Sequence, residues 1–375
     1  MRAFMDGYIR AEISASALRH NIAQVRSCLG PRVLLCPVVK ANAYGHGIEQ
    51  VVPVLRESAD MLGVAICSEA VALRRLGWHR PVLQLATAGG LNSDDLAQLV
   101  AIGVTLTLST LEEVKLLKEA AGKAHRPCQV HVKIDSGMSR GGAPIESAPA
   151  VVAAAREAEF LQLAGLYTHF SSADEADKEP TRWQMSRFLE AVDRCGGRDE
   201  LLLHAANSAG VMDLPETHLD LVRPGIALYG MAPSATIHRK LDLRPALRLT
   251  APIMLIKDVP AGARTGYGLA WRFDRPARIA VVPVGYADGY CRALSNVASM
   301  RLRGVDCPVR GRVSMDQTVI EITGVAGAKV GEHVEIISSE PGAPHSAASL
   351  ARQAGTLHYE VLSRLGDRIT RVLVD

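Results

Sequence analysis

Short, continuous apolar runs recur along the first 240 or so residues and alternate with stretches in which apolar residues repeat at helical spacing. Continuous rather than alternating runs are typical of strands buried on both faces of a parallel sheet. Eight such β/α units predict a TIM barrel; a doubly wound sheet needs fewer strands and usually a glycine-rich first turn, which is absent. The predicted strands are residues 33–39, 62–66, 82–86, 104–108, 129–134, 163–168, 201–203 and 219–222, and the clearest predicted helices are residues 15–27, 111–121 and 182–195.

The pattern changes after residue 244. Short segments rich in β-formers follow one another there, separated by Gly and Pro, which predicts a mostly antiparallel β domain. The sequence thus predicts an α/β protein with an N-terminal (β/α)8 barrel over residues 1–244 and a β domain over residues 245–375. Residues 1–12 are a candidate extra strand of the C-terminal sheet. The predicted C-terminal strands are residues 249–257, 278–283, 300–302, 317–321 and 332–337.

Composition and charge exclude several classes of partner. The net charge of the 375 residues is only +3 and no run of basic residues stands out, so neither nucleic acid nor an anionic membrane is an expected partner. No apolar stretch reaches membrane-spanning length, and residues 1–7 lack the apolar core of a signal peptide. Seven scattered cysteines favour reduced thiols and a cytoplasmic location.

A metal site is not expected. His125, Cys128 and His131 are spaced three apart, which would suit a metal on a helix. However, Cys128 begins a predicted strand, where residues three apart point to opposite faces of the sheet.

The residue types that carry chemistry fall at one end of the predicted strands. Barrel enzymes keep their active sites at the C-terminal ends of the strands, so one site built from several strands is expected there. Lys40 closes the first apolar run, and lysine is the side chain that forms Schiff bases once its amine is desolvated. A lysine that merely reaches solvent from a strand end is the alternative. The residues at or just beyond strand ends are Lys40, Lys133, His169, His204, Asn207 and Arg223.

The segment Val-Val-Lys-Ala-Asn-Ala-Tyr-Gly-His-Gly at residues 38–47 resembles the pyridoxal-phosphate lysine motif of the alanine racemases. Further segments resemble that family in the same order and spacing, so that the similarity covers essentially the whole chain. Each alone is weak, but together they are specific. They are residues 133–140, 167–170, 204–208, 223–226, 266–268, 285–290, 311–316 and 359–362.

The resemblance implies pyridoxal 5'-phosphate as cofactor, attached at Lys40. A phosphate group suits the N-terminus of a helix that follows a strand, where Ser208 is expected to cap the helix with Asn207 just before it. The resemblance implies that Arg223 faces the pyridine nitrogen and, as a donor that keeps its proton, leaves that nitrogen unprotonated. The implied cofactor-binding residues are Lys40, Tyr44, Arg140, His169, Asn207, Ser208, Arg223, Gly225, Ile226 and Tyr359.

Racemisation requires a proton-transfer group on each face of the substrate α-carbon. The resemblance implies that Lys40 serves one face and Tyr267 the other, with Tyr267 supplied by the partner subunit of a homodimer whose active sites are shared. A hydrogen bond from His169, close to Arg223, would lower the pKa of Tyr267 from its ordinary value of about 10. The alternative for Tyr267 is a packing residue of the β domain.

The substrate site is also implied by the resemblance. Arg140 and the backbone N–H of Met315 would hold the substrate carboxylate, and Tyr286 and Tyr359 would narrow the entrance to a methyl-sized pocket. Lys133 occupies a position that carries a carbamate in many relatives, where it would hold Arg140 by a charge-assisted bond; the alternative is a plain ammonium beside Asp135. The implied outer residues of the entrance are Asp174, Arg292 and Arg312.

The sequence therefore predicts an isomerase that interconverts L- and D-alanine and supplies D-alanine for peptidoglycan. A serine-preferring or broad-specificity amino-acid racemase is the nearest alternative, because a methyl-sized pocket rejects a hydroxymethyl group only weakly. A barrel-type pyridoxal-phosphate decarboxylase would usually place a carboxylate at the ring nitrogen, where this chain has Arg223. A non-catalytic cofactor-binding protein would lack a second domain.

Overall fold

The computed structural model describes residues 9–375, which divide into two compact units. The first unit comprises residues 19–41 and 52–243, and the second comprises the described part of residues 1–18 together with residues 42–51 and 244–375. The first strand, β1 (Arg10–Ser14), belongs to the second unit. For the predicted extra strand at residues 1–12, residues 1–8 lie outside the described residues.

The first unit is a parallel β/α barrel, which confirms the predicted fold class. Its strands are β2 (Leu34–Leu35), β3 (Leu62–Val64), β4 (Val82–Thr87), β5 (Thr105–Leu108), β6 (Cys128–Asp135), β7 (Ala143–Pro144), β8 (Leu161–Tyr167), β9 (Leu202–His204) and β10 (Leu221–Val222). The parallel order β3-β4-β5-β6-β8-β9 forms one sheet, and β10 pairs with β2. A bridge between Val38 and Gly63 joins β2 to β3, and the Asp220 N–H donates to the Leu203 carbonyl between β9 and β10. These links complete the ring, and β7 pairs with β6 outside it.

Helices alternate with the barrel strands, as the helical spacing predicts. They are α1 (Ala15–Arg26), α2 (Lys40–Tyr44), α3 (Ile48–Leu55), α4 (Cys67–Arg75), α5 (Ser93–Ala101), α6 (Leu111–Ala124), α7 (Ala148–Glu157), α8 (Glu179–Arg194) and α9 (Ser208–Asp213). Short 3-10 helices cover Pro215–Thr217 and Ile226–Tyr229.

The prediction of a continuous strand at residues 33–39 was wrong in extent. Only Leu34 and Leu35 pair regularly, with β10, and Val38 makes an isolated bridge. Pro37 explains the interruption because it has no N–H to donate to a ladder.

The interior of the barrel changes character along the strands. Cys36, Met61, Leu83 and Leu221 form an apolar cluster near the N-terminal ends of the strands. Further toward the C-terminal ends, buried polar side chains replace apolar ones, and each needs a hydrogen-bond partner. These are Gln84, Thr107, His131, Tyr167 and His204.

The second unit is mostly antiparallel, as predicted. Its remaining strands are β11 (Leu247–Pro252), β12 (Leu255–Val259), β13 (Arg264–Thr265), β14 (Trp271–Arg272), β15 (Ala277–Val282), β16 (Ser299–Leu302), β17 (Val305–Pro308), β18 (Thr318–Glu321), β19 (His333–Ile337) and β20 (Thr370–Val374), and its C-terminal helices are α10 (Ala347–Ala354) and α11 (His358–Ser363). Six strands form the order β17-β16-β19-β11-β1-β20, in which β1 is antiparallel to β11 and parallel to β20.

The remaining strands of this unit form a three-stranded sheet, β12-β15-β18, and a β13-β14 pair. The single strand predicted at residues 249–257 is in fact two, β11 and β12, which lie in different sheets. Pro252, at the end of β11, cannot donate to a ladder and so favours the break. Among residues 9–375 there is no helix long and apolar enough to cross a membrane.

Candidate active site

Lys40 stands at the start of a left-handed turn. The four residues that follow it, Ala41 to Tyr44, have φ angles between 52° and 54°, although none is glycine. Each such residue costs about 1–2 kcal/mol relative to a right-handed conformation. The side chain of Asn42 accepts a hydrogen bond from the Ile48 N–H at 2.8 Å, and Gly47 donates to the Asn42 carbonyl at 2.9 Å. The surrounding bonds thus hold a conformation that the chain would not adopt alone, as is common at functional sites.

Glycine is required where this turn ends. A Cβ atom on Gly45 would lie 1.9 Å from the carbonyl oxygen of Leu362 in α11, and Arg371 donates to the Gly45 carbonyl at 2.8 Å. The rings of Tyr44 and Tyr359, both implied cofactor-binding residues, lie in the same unit with centroids 6.2 Å apart. Burial raises the pKa of the Tyr44 hydroxyl above its ordinary value, so this group stays a hydrogen-bond donor.

Three cations of the first unit lack partners. Within the described residues, the side chains of Lys40, Lys133 and Arg140 make no hydrogen bond or ion pair. The alternative for Lys133, an ammonium paired with Asp135, is not seen as an ion pair; one oxygen of that carboxylate accepts three backbone N–H groups of the following turn at 2.9–3.1 Å. Lys40 and Lys133 are partly buried and Arg140 is exposed. A partly buried cation without an ionic partner favours the binding of an anion.

The cations lie close enough to act on one another. Desolvation and the charge of Arg140 lower the pKa of Lys40, while the carboxylate of Glu69 opposes them. Desolvation lowers the pKa of Lys133 to about 8, helped by Arg140, Arg223 and Lys40 and opposed by Asp135. A lowered pKa gives each lysine more of the neutral amine that nucleophilic and base chemistry require.

Arg223 is buried and begins a chain of hydrogen bonds into the barrel. Its guanidinium donates to Nδ1 of His204 at 2.5 Å and to the carbonyls of Thr168 and Ala205 at 2.7 and 3.1 Å. Nε2 of His204 lies 2.8 Å from Nδ1 of His131. Because arginine only donates, Nδ1 of His204 accepts, its Nε2 carries the proton, and His131 is the next acceptor.

The two imidazoles in this series of hydrogen bonds, those of His131 and His204, are neutral. Burial, followed by the charge of Arg223, lowers the pKa of His131 to about 3 and that of His204 well below its ordinary value. The ring of Tyr167 stacks on His204 with centroids 4.6 Å apart and lies 5.0 Å from the Arg223 guanidinium carbon. A Cβ on Gly165 would lie 2.9 Å from the ring of His131, so glycine makes room for the chain.

Ser208, Gly225 and Ile226 come together where β9 and β10 end. The hydroxyl of Ser208, which is buried, accepts the Gly225 N–H at 2.9 Å and the Ala227 N–H at 3.3 Å. The expectation that Ser208 caps the helix was wrong. Asn207 is the cap and accepts the N–H groups of residues 209 and 210, both at 3.0 Å, because its backbone is still extended (φ −88°, ψ −168°) whereas Ser208 already lies in the helix. With its oxygen already accepting twice, Ser208 has its own O–H left to donate.

His169 follows β8 among these cations. Within the described residues its imidazole makes no hydrogen bond. Burial and the charges of Arg223, Arg140, Lys133 and Lys40 hold its pKa well below the ordinary value. A neutral ring with one N–H donor and one free acceptor results.

Tyr267 lies on the second unit and is 72% exposed. This excludes the alternative that it is a packing residue of the β domain. It sits in a 3-10 turn between Gly266, at φ 77°, and Gly268, at φ 68°. A Cβ on Gly266 would lie 2.7 Å from the Arg312 backbone nitrogen, so the sequence Gly-Tyr-Gly is needed to present the ring outward.

Tyr286 and Met315 are neighbours on the same unit, 44% and 52% exposed. The Tyr286 N–H donates to the Ser314 carbonyl at 3.1 Å, and the Ala287 N–H donates to the Met315 carbonyl at 3.0 Å. Buried Asp288 caps the Gly285 N–H at 2.9 Å.

Arg368 joins the two loops that carry Tyr286 and Met315. Its guanidinium reaches Asp288 at 2.9 Å and Asp316 at 2.8 Å. Of the proposed outer residues, Arg312 lies on this unit with its guanidinium against Gly268, and Arg292 is exposed on it. Asp174 belongs to the first unit, where its carbonyl accepts the Ser234 hydroxyl at 2.5 Å.

The sequence did not predict the contacts of two side chains at the site, Glu69 and His131. Glu69 lies beside Lys40, but the residue at its helix N-cap is Ile66, so the usual Ser/Thr-x-x-Glu signature is missing. His131 was weighed only as a metal ligand, whereas the structure bonds it to His204. Residues 9–375 hold no group of three or more side chains suited to a metal ion.

Comparison with known families matches both halves of the chain. The family described as alanine racemase, N-terminal domain, matches residues 13–233, and the family described as alanine racemase, C-terminal domain, matches residues 246–373. A protein named alanine racemase from Desulfovibrio desulfuricans is 40% identical over 99% of this chain and 99% of its own length. One from Methanococcus maripaludis is 36% identical over 97% and 98%.

Solved structures agree with these matches. An alanine racemase from Clostridium difficile 630 superposes with a TM-score of 0.91 at 34% identity, covering 98% of this chain and 97% of the other. The alanine racemase of a D-cycloserine-producing Streptomyces lavendulae superposes with a TM-score of 0.90 at 33% identity and the same coverage.

Proposed function

Since this chain belongs to the alanine racemase family, we propose that it interconverts L- and D-alanine by proton exchange at the α-carbon, with pyridoxal 5'-phosphate held at Lys40. The observation that carries the proposal is the group of unpartnered cations around Lys40 at the C-terminal ends of the barrel strands. The product, D-alanine, would serve peptidoglycan synthesis.

The donor groups of the barrel fit the cofactor. The O–H of Ser208 and the N–H of Ile226, the first residue of the 3-10 helix, suit a phosphate group, with Gly225 allowing a close approach. When bound, pyridoxal phosphate supplies an aldehyde that links to the substrate amine and a conjugated ring that draws electrons from the α-carbon. The phosphate and the substrate carboxylate would together supply the negative charge that Lys40, Lys133 and Arg140 lack.

Arg223 fits the nitrogen of the pyridine ring. Within the described residues, its two NH2 groups donate to His204, Thr168 and Ala205, which leaves its Nε–H free to donate. Because a guanidinium does not give up its proton, Arg223 would donate a hydrogen bond to the ring nitrogen and leave that nitrogen unprotonated. We therefore expect the α-proton to be exchanged rather than a carboxylate to be lost, which disfavours the decarboxylase alternative.

Lys40 and Tyr267 are assigned to the two faces of the α-carbon. The lowered pKa of Lys40 increases its fraction of neutral amine, the form that can accept a proton and return it. Tyr267 is 72% exposed on its own unit. Leu269, two positions along the chain, and Met315 of the same unit are also exposed. Such an exposed apolar surface suits a partner subunit, and we propose a homodimer in which Tyr267 completes the site of the other copy.

His169 would prepare Tyr267 for proton transfer. Its neutral ring carries one N–H, and a hydrogen bond donated to the tyrosine oxygen favours the phenolate and lowers its pKa. We also propose that Arg140 and the Met315 N–H hold the substrate carboxylate and that Tyr286 and Tyr359 limit the size of the side chain.

The deciding experiment measures turnover of L- and D-alanine by the purified protein with pyridoxal phosphate, with serine and lysine run in parallel. Fast turnover of alanine in both directions supports the proposal. Faster turnover of serine or lysine would keep the reaction and overturn the assignment of the small pocket. Release of carbon dioxide without racemisation would overturn the reaction itself.

Sharing of the active site is tested by mixing two inactive variants, Lys40→Ala and Tyr267→Ala. A shared site predicts recovery of about a quarter of the native activity, because half of the dimers are mixed and each has one intact site. No recovery, with mixed dimers demonstrated by mass spectrometry, would assign both residues to one subunit.

A further inference from the structure

Glu69 connects Lys40 to the start of helix α4. One oxygen of its carboxylate accepts the N–H of Ala41, the residue after Lys40, at 2.7 Å. The other oxygen accepts the N–H groups of Ala65 and Ile66 at 2.7 and 3.3 Å. Glu69 thus bridges the N-terminus of its own helix and the first residue of the left-handed turn.

We propose that Glu69 is a positioning residue for Lys40, which fixes the backbone where the left-handed turn begins and holds a negative charge beside the lysine amine. This inference rests on the proposed function only through the role given to Lys40.

The hydrogen bonds require a carboxylate. Three N–H groups point at Glu69 from two directions, so both of its oxygens must accept. A glutamine has one accepting oxygen and one NH2 group, and that NH2 would face an N–H donor on one side. The bond to Ala41 holds this residue at its strained φ of 52°. Without that bond the turn could move to a less strained conformation.

The negative charge balances the cations around Lys40. Desolvation and Arg140 push its pKa down, and Glu69 is the neighbour among the described residues that pushes it up. Lys133 and the neutral ring of His169 also face Lys40 without offering an anion. A base that must return the proton it takes needs a pKa near the working pH, not far below it.

The same arrangement occurs two β/α repeats further along the barrel, at the start of α6. Glu113 of α6 accepts the N–H groups of Ser109 and Thr110 at 2.6 and 3.1 Å and reaches across to the Gly89 N–H at 2.8 Å. Glu113 therefore provides a matched control, because its loss removes similar bonds at the start of a helix without removing a charge beside Lys40.

The experiment titrates Lys40 itself. The full-length protein is stripped of cofactor with hydroxylamine and labelled with acetic anhydride across a range of pH, and labelling of the peptide that contains Lys40 is followed by mass spectrometry. We expect Glu69→Gln to shift the labelling curve to lower pH and to raise the rate at pH 7 by about threefold or more, since the amine loses its nearby anion. Glu113→Gln should leave the curve in place.

Backbone amide exchange tests the positioning. Glu69→Gln should speed the exchange of the Ala41 amide by about tenfold, the loss of one charge-assisted hydrogen bond, whereas Glu113→Gln should speed that of Gly89 instead. If the Lys40 curve moves equally in both variants or in neither, the proposal is overturned. Should Glu69→Gln fail to fold, Glu69→Asp replaces it; its shorter side chain cannot span both sets of N–H groups, so an unchanged Ala41 amide would overturn the proposal.

Turnover is not needed for either measurement. Failure of the racemase assay with a shifted Lys40 curve would reject the proposed function and keep the role of Glu69. Racemase activity with an unshifted Lys40 curve would support the proposed function and reject the role of Glu69.

Discussion

The two ends of the barrel differ in how many of their cationic side chains are hydrogen-bonded within the fold. At the N-terminal ends of the strands, arginines are bonded to backbone carbonyls: Arg74 donates to Ile102 at 2.8 Å, to Gly103 and Trp78 at 2.7 Å, and to Arg80 at 2.8 Å. Arg126 likewise reaches Ala101 at 2.7 Å. At the C-terminal ends, Lys40, Lys133 and Arg140 have no such partners.

The difference follows from what each end must hold. At the N-terminal ends of the strands, hereafter the base of the barrel, the carbonyls of Ala101 and Ile102 end helix α5, where the helix dipole is negative and favours a cation. The N–H groups of these arginines are already bonded within the fold. They therefore stabilise the fold and are not available to bind a ligand. At the other end Arg223 is bonded within the fold, but Lys40, Lys133 and Arg140 gain an anionic partner only when a ligand binds, which is the property of a binding site.

Removing the amine of Lys40 should have the strongest effect on activity. Lys40→Ala is expected to lower racemase activity by about ten-thousandfold or more, since both the attachment point of the cofactor and a proton-transfer group are lost. The control is Arg126→Ala at the base, which should keep kcat/KM within about twofold. Substantial activity in Lys40→Ala, followed by D-alanine formation, would contradict the assignment.

Acid should destabilise the active-site end. His131 and His204 are neutral in the fold because burial lowers their pKa, to about 3 for His131, whereas the unfolded chain takes up protons below about pH 6.5. Their contribution to stability is complete above pH 6.5 and is lost as the pH falls toward 3, by about 1.4 kcal/mol per pH unit for each histidine.

Urea unfolding at pH 7, 6 and 5 measures this loss. The variant His131→Gln should reduce the slope by about one proton, and Arg74→Ala at the base should leave it unchanged. Equal stability at pH 7 and pH 5 would contradict the prediction.

At the base, removing a bonded arginine should affect stability and not chemistry. Arg74→Ala deletes four hydrogen bonds to carbonyls and should lower the free energy of unfolding by about 2–3 kcal/mol. The exposed neighbour Arg75 is the control, and Arg75→Ala should change stability by less than about 0.5 kcal/mol. Loss of kcat in folded Arg74→Ala would show that the base takes part in catalysis.

The smallest expected effect concerns Lys133. A pKa of about 8 leaves about half of its amine neutral at pH 8, the form that combines with carbon dioxide to give a carbamate. With 13C-labelled bicarbonate we expect one carbamate signal in the 13C NMR spectrum, absent in Lys133→Ala, and about a twofold to fivefold loss of activity when carbon dioxide is removed.

Lys178 provides a control for Lys133. Its ammonium is buried and paired with Asp213 at 3.0 Å, so Lys178→Ala should not remove the signal. A signal that persists in Lys133→Ala would place the modification elsewhere.

Much of the barrel could be predicted because each strand is a local apolar run and each helix a local periodic pattern. The same pattern placed Lys40, Lys133, His169 and Arg223 at one end, since parallel strands end at the same face. The strand at residues 33–39 was predicted too long because a hydrophobic run includes Pro37, although proline has no N–H to donate to the sheet.

What could not be predicted depends on contacts between distant residues. The left-handed turn after Lys40 contains ordinary Ala, Asn and Tyr residues, and its conformation is imposed by bonds made elsewhere. The bond from Ala41 to Glu69 spans 28 positions, and the bond from His131 to His204 spans 73. Neither has a local signature.

The turn at residues 41–44 has a stereochemical consequence. Its φ angles of 52–54° lie in the region that mirror-image residues prefer and L-residues avoid. In a chain assembled by chemical ligation, D-alanine in place of Ala41 or Ala43 should therefore relieve backbone strain rather than create it, provided that the reversed Cβ finds space. At these two positions the ribosome installs the enantiomer less suited to the fold.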